Sequence, residues 1–188
     1  MARATSPTSD ASNGWDAVAD RFIAAREKSR IGTAVVRAWA QHLPSGASIL
    51  DLGCGSGVPV SEALIDCGFE IYGVDASPTL VAAFRSRFPG ANVACEPAES
   101  SRFFDSTFDG VIAVGLMFLL RAEVQRALIL RIAAAMNPGG RFLFFLNHPL
   151  LQVPGSGWID DHILEGQYSR IGPFLVEGDA QGNSLFAL

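Results

Sequence analysis

The nine residues Ile49-Leu-Asp-Leu-Gly-Cys-Gly-Ser-Gly57 run from a short β-type stretch, residues 48–52, into three glycines in strict alternation. Residues 58–67 then carry a helical apolar pattern that Gly68 ends, so the order is strand, turn, helix. Glycine adopts backbone conformations closed to other residues and has no Cβ, which lets such a turn pass close against a ligand. A dinucleotide fingerprint spaces its glycines G-x-G-x-x-G. Here they fall at Gly53, Gly55 and Gly57, with Val58 where the third dinucleotide glycine would lie. Asp51 sets a carboxylate at the strand end, just before the turn. It suits a cationic group of a ligand, with a plain turn or capping residue as the alternative.

Downstream the alternation repeats. Residues 70–74 read as strand, 78–88 as a helix opened by Ser77 with Pro78 in its first turn, and 92–95 as a short strand. Residues 108–114, 121–136 and 141–147 follow as strand, helix and strand. Apolar strands separated by helices indicate βαβ units and a parallel sheet covered on both faces, an α/β, doubly wound, Rossmann-like fold. Upstream, Val18, Phe22 and Ile23, then Ile31, Val35, Val36 and Trp39, recur at helical spacing, and Pro44-Ser-Gly46 stops the second run. Trp15 and Phe22 lie seven apart, which suits a helix face packed on the core better than a lid over a site.

Residues 1–13, rich in Ser, Thr, Ala and Pro, are expected to form a flexible leader without the apolar core of a secretory signal. Residues 14–188 are expected to form one domain, with N-terminal helices over 14–43, a ligand-binding core over 48–147 and a tail over 148–188. The tail spreads Gly and Pro throughout. Its apolar pieces 174–177 and 184–188 flank a turn-rich stretch and suggest a hairpin.

Composition narrows the functional classes. The 188 residues are 49% hydrophobic and 18% charged, which suits a globular domain with a sizeable core. A net charge of −5, without a basic cluster, argues against a nucleic-acid partner. The apolar runs at 110–120 and 142–146 are too short to span a bilayer, so no membrane partner is expected. Cys54, Cys67 and Cys95 form no CxxC pair, and read as reduced thiols of a cytoplasmic protein. Further along, Gly73-Val-Asp75 sets a second carboxylate at a strand end, where it can accept hydrogen bonds from the vicinal hydroxyls of a ribose.

Four stretches, Ile49-Leu-Asp-Leu-Gly-Cys-Gly-Ser-Gly57, Gly73-Val-Asp-Ala-Ser77, Thr107-Phe-Asp-Gly-Val-Ile112 and Asn137-Pro-Gly-Gly-Arg-Phe142, resemble successive motifs of class I S-adenosylmethionine (SAM)-dependent methyltransferases. The resemblance implies that Gly53, Gly55 and Gly57 line the methionine part of SAM, whose α-ammonium and sulfonium suit Asp51. It implies further that Asp75 holds the ribose, that Ala76 packs on the adenine, and that Val114 passes beside the cofactor. Within Cys95-Glu-Pro-Ala-Glu99 the register of the adenine contact stays open. Glu96 follows the strand directly, whereas counting back from Phe108-Asp109 favours Ala98 and Glu99. Arg30, in Ser29-Arg-Ile31, resembles an arginine that reaches the SAM carboxylate in quinone-type O-methyltransferases, and reads equally as a solvated charge.

By the same resemblance the activity is methyl transfer to a nucleophilic atom of a small-molecule acceptor, with S-adenosylhomocysteine as product. No catalytic base stands out. His148, in Asn147-His-Pro149, is a candidate, but methyl transfer from a sulfonium needs alignment more than proton removal, so a loop histidine is preferred. Asp160, Asp161 and His162 could suggest a metal, as in catechol-type enzymes, yet adjacent side chains point apart and no metal is expected. The sequence Val114-Gly-Leu-Met-Phe118 is not the Asn-Pro-Pro-aromatic signature of DNA-adenine and protein-glutamine enzymes, and Lys28 as sole lysine excludes a Lys-Asp-Lys-Glu site. Only about forty residues follow Asn147, so the C-terminal antiparallel strand pair of the family is expected to be incomplete or shortened. An unpaired sheet edge favours association, such as a homodimer. The alternative reading is a binding domain that takes SAM or S-adenosylhomocysteine without turnover.

Overall fold

The computed structural model describes residues 10–146, 157–161 and 166–170. The chain divides into two compact units, Met1–Phe145 and Leu146–Leu188. In the first, a 3₁₀ turn at Asp16–Val18 leads into α1 (Ala19–Arg26) and α2 (Thr33–Ala40). Then come β1 (Ser48–Leu52), α3 (Val60–Ile65), β2 (Glu70–Asp75), α4 (Pro78–Arg87), β3 (Asn92–Cys95), β4 (Phe108–Ala113), α5 (Ala122–Ala134) and β5 (Met136–Phe144). The strands form one sheet in the order β3-β2-β1-β4-β5, and every pairing is parallel. The order reverses between β1 and β4, the switch point of a doubly wound sheet, where ligands meet the C-terminal ends of the strands.

Side-chain alternation along the strands assigns the two faces. Leu50 and Leu52 of β1, with Val74, Phe108 and Val111, pack with Leu128 and Ile132 of α5 on one face. Ile49, Ile71 and Ile112 pack with Val36, Leu64 and Phe84, from α2, α3 and α4, on the other. β1 and β4 are therefore buried almost throughout, as central parallel strands require.

The element order agrees with the sequence reading, and the differences have local causes. β5 begins at Met136 and not at residue 141, because Met136 pairs with Phe108 before a register shift carries Gly110 opposite Arg141. Asn137-Pro-Gly-Gly140 sits in that irregularity and does not read as strand. α2 starts only at Thr33, because Gly32 has a φ of 83°. The run of Ile31, Val35, Val36 and Trp39 is thereby broken: Val36 is buried, whereas Ile31 is 71% and Val35 54% exposed.

At the N-terminal ends of the strands the Asp109 carboxylate accepts hydrogen bonds from Ser48 N (3.0 Å), Ser48 Oγ (3.2 Å) and Asn137 Nδ2 (2.8 Å). One acid thus ties β1, β4 and β5 together, at the end opposite the glycine turn. These bonds hold it below the usual aspartate range, the Asn137 bond foremost.

In the second unit β6 (Gly157–Asp161) and β7 (Gly166–Arg170) form an antiparallel pair, with Ile159 opposite Tyr168. The sequence had placed its hairpin at 174–188, outside the described residues. Among the described residues no helix is long and apolar enough to cross a membrane.

Gly110 of β4 lies close under Trp39 of α2 and Leu43 just beyond it. A Cβ there would lie 2.8 Å from Trp39 Cη2 and 2.9 Å from Leu43 Cδ1. Gly110→Ala is expected to lower stability by roughly 1–3 kcal/mol in urea unfolding, the usual cost of overpacking. An unchanged midpoint would mean that these side chains do not pack against β4.

Candidate functional site

The turn after β1 is held to the end of β2 by its own amides. Gly53 N and Cys54 N both donate to Val74 O, at 2.8 and 3.2 Å, and Gly55 N donates to Asp75 Oδ2 at 2.9 Å. Gly53 and Gly57 have φ values of 72° and 83°. A Cβ on Gly57 would also lie 2.5 Å from Phe88 Cε2 and 2.9 Å from Phe84 Cδ2, so both conformation and space require glycine there.

Two carboxylates flank this turn. Asp51 lies on the face of β1 that carries Ile49 and packs on α2, α3 and α4, is 2% exposed, and its Oδ2 accepts from Ser61 Oγ of α3 at 2.6 Å. Burial pushes its carboxyl up to about 7, against the opposing pull of the Ser61 bond. Asp75 accepts from Gly55 N through Oδ2 and from Ser77 N through Oδ1, the latter at 2.9 Å. Burial raises its pKa too, while those two amides lower it. Within the turn the Ser56 hydroxyl is buried without a hydrogen-bond partner among the described residues. A buried acid with little compensation and an unsatisfied hydroxyl fit a polar, cation-bearing ligand better than an apolar one.

The N-terminal segment lies over the turn. A Cβ on Gly55 would be 3.4 Å from Phe22 Cε1, and Trp15 meets Phe22 edge to face at 5.5 Å. Phe22 is half-buried over the turn and Trp15, at its edge, is 37% exposed; neither belongs to the central core that the helical spacing suggests. Asp16 Oδ1 accepts from Ser77 Oγ (2.5 Å) and Thr79 N (2.9 Å), capping α4, and these bonds lower its pKa.

Of the other residues singled out from sequence, Ala76 is half-buried directly after Asp75, and Val114 is partly buried directly after β4. Glu96 N donates to the backbone carbonyl of Asp75 at 2.9 Å, which holds the chain after β3 to the end of β2. Ala98 is 5% exposed in the core on the α5 side, and Glu99 is exposed with its carbonyl bound by Arg131. Arg30 lies in the turn before α2, 3.8 Å from Glu62, with its side chain 80% exposed. It lines a shallow charged cleft with Thr33, Arg37, Pro59 and Asp66. His148 and His162 lie outside the described residues, and Asp160 and Asp161 are on β6. Among the described residues no group of three or more acids, His or Cys could hold a metal ion.

Sequence reasoning missed Asp16, Ser61 and Arg131. Each acts across a gap in the chain: Asp16 is 61 residues from Ser77, and Arg131 is 32 from Glu99. Ser61 is only ten residues from Asp51, but the glycine turn lies between them. No local pattern marks such pairs.

Residues 49–140 match a family model described as a methyltransferase domain. Cypemycin N-terminal methyltransferase from a Streptomyces species is 39% identical over 108 residues, covering 55% of this chain and 44% of that protein. The chain spans less than half the length of the curated relatives it matches. A TehB-like SAM-dependent methyltransferase from Corynebacterium glutamicum superposes with a TM-score of 0.57 at 26% identity, covering 68% of each chain. CalS10, an amino pentose methyltransferase from Micromonospora echinaspora with SAM bound, shares the fold with a TM-score of 0.59 at 23% identity, covering 76% of this chain and 63% of that one.

The raised pKa of Asp51 predicts a pH dependence of stability. Its folded value of about 7 lies above the ordinary 3.8, so in that window the folded chain holds a proton that the unfolded chain has released. The stabilisation is complete below the lower value and is lost as pH rises through the upper one. Asn can keep the Ser61 bond without titrating. Relative to wild type, Asp51→Asn is expected to gain stability between about pH 4 and about pH 7 and to hold that gain at higher pH, by a few kcal/mol at most, in urea unfolding. A constant difference between the two proteins would place the Asp51 pKa outside this window.

Proposed function

We propose that this chain, whose residues 49–140 match a methyltransferase-domain model, is a class I SAM-dependent methyltransferase that transfers the SAM methyl group to a nucleophilic atom of a small, partly apolar acceptor. The observation that carries the reading is the join of the glycine turn to Asp75: Gly55 N and Ser77 N fix the carboxylate at the C-terminal end of β2, with lone pairs left for a ribose diol. When bound, SAM would supply a methyl carbon made electrophilic by its sulfonium; an acceptor O, N, S or C would bond to that carbon in line as the carbon–sulfur bond breaks, with S-adenosylhomocysteine leaving and any acceptor proton passing to solvent.

The chain's own residues bind and align. Gly53, Gly55 and Gly57 let the backbone lie against the methionine part, and Asp51 offsets its ammonium from just beneath the turn. Asp75 holds the ribose, Ala76 packs on the adenine, and the segment after β3 meets the adenine edge. Glu96 is favoured over Ala98 and Glu99 as the carboxylate beside the nucleoside, because its amide is bonded to Asp75 O. Phe22 and Trp15 exclude water from above the turn. Alignment of this kind supplies several kcal/mol without any proton transfer.

The acceptor side supports an apolar partner. Leu116 lies against Gly53, where a Cβ would be 3.2 Å from Leu116 Cβ, and beyond it Phe118 and Leu119 are 40% and 44% exposed. These side chains would flank the transferred methyl. One relative is by name a cypemycin N-terminal methyltransferase, and a small acceptor of this chain is compatible with that likeness.

Calorimetric titration with SAM, S-adenosylhomocysteine and NAD tests the cofactor. Both adenosyl ligands are expected to bind and NAD not to. Asp75→Ala should weaken binding by about tenfold to a hundredfold, the loss of charge-assisted hydrogen bonds. A folded sample that binds neither adenosyl ligand would overturn the assignment. If Asp51 faces the ligand ammonium, binding near neutral pH should also release part of a proton, because the cation lowers the carboxyl pKa from about 7. Titration in buffers of different ionisation enthalpy reads that release. No buffer dependence would separate Asp51 from the ammonium.

A further inference from the structure

We propose that Arg131, on the last turn of α5, is a positioning residue for the base of the cofactor, acting through the loop that follows β3. The inference rests on the cofactor-binding reading above. Arg131 Nη1 donates to Ala98 O (3.3 Å) and Glu99 O (2.6 Å), Nη2 donates to Ser101 O, and the guanidinium lies 4.7 Å from the centre of the Phe103 ring. No ion pair engages Arg131 among the described residues. Its charge is instead offset by three carbonyl dipoles and an aromatic face, the use to which a planar five-donor fork is suited.

The loop so held does not rest in a relaxed conformation. Phe103, Phe104 and Asp105 follow with φ values of 49°, 57° and 51°, three consecutive non-glycine residues in the left-handed region. Such a backbone persists only where its surroundings over-determine it. Here Ser101 Oγ accepts from Phe103 N at 3.0 Å, Phe103 is buried, and Phe104 packs edge to face on Tyr72 at 5.2 Å. Arg131 supplies the hold on the other side of Ser101, toward the site.

At its start the loop is joined to the ribose acid, through Glu96 N and Asp75 O. From that joint to the arginine clamp the loop runs only through Glu96, Pro97 and Ala98, the first held by Asp75 O and the last by Arg131. A base attached to a ribose on Asp75 reaches these residues, whose placement is set by Asp75 at one end and Arg131 at the other. Arg131 touches no ligand in this arrangement. It determines whether the loop can meet the edge of an adenine, and so which base is accepted.

The test is calorimetric titration of the full chain with S-adenosylhomocysteine and with S-inosylhomocysteine, which carries a carbonyl in place of the 6-amino group. Wild type, Arg131→Ala, Arg131→Lys and the exposed helix variant Arg126→Ala are compared well below their melting temperatures. Wild type and Arg126→Ala are expected to prefer the adenosyl ligand. Arg131→Lys keeps the charge but gathers its donors on one nitrogen, which does not reproduce the reach of Nη1 and Nη2 to separate carbonyls, and should lose about tenfold or more in adenosyl affinity while the inosyl ligand changes little, so that the preference collapses. If Arg131→Ala does not fold, Arg131→Lys alone carries the comparison. A folded Arg131→Lys with an unchanged preference would overturn the proposal, leaving Arg131 as a stabilising residue only. Wild type that binds both ligands equally would overturn it while the cofactor assignment stands, and wild type that binds neither would overturn both.

Discussion

The Asp75 carboxylate joins parts of the chain that would otherwise be independent. Its two oxygens receive the amide of Gly55 from the turn after β1 and the amide of Ser77 at the start of α4. The carbonyl just before it, Val74 O, receives two further turn amides. The end of β2 therefore sets the path of the glycine turn, the entry into α4 and, through Asp75 O and Glu96 N, the exit from β3. Backbone donors fixed by a sheet do not reorganise when a ligand arrives, which is the condition for a pre-formed polar site.

The two ends of the sheet divide the work. At the C-terminal ends Asp51 is buried with one hydrogen bond and Asp75 is half-buried with two, and burial raises both pKa values. At the N-terminal ends Asp109 is satisfied by Ser48 and Asn137, and its pKa falls. An acid with its donors supplied stabilises the sheet, whereas one short of donors is poised to receive a cation. The third and fourth of the family-like motifs, around Asp109 and Asn137, are thus partners of each other across β4 and β5, at the end of the sheet away from the glycine turn.

The order of strands and helices from residue 48 to 144 was legible because each element carries its own period and its own stop signal. Ser77 before Pro78 shows this most clearly: Ser77 Oγ accepts from Leu80 N at 3.2 Å, the cap that the dipeptide announces. The legible part of the site was of the same kind, the three glycines and the acids at two strand ends. Where periodicity misled, a local conformation intervened. Gly32, with its positive φ, cut the apolar run before α2, and the register shift at β5 hid a strand start inside Asn137-Pro-Gly-Gly140.

Sequence by itself determined the doubly wound fold and the class of ligand, since helical and strand periods and glycine spacing are properties of neighbouring residues. The tertiary structure alone decided that Phe22 covers Gly55, that Ser61 meets Asp51, that Asp16 caps α4 and that Arg131 clamps the loop after β3. Those pairings depend on which residues the sheet order and the faces of its helices bring within a few ångströms, and that distance in space leaves no mark on the spacing along the chain.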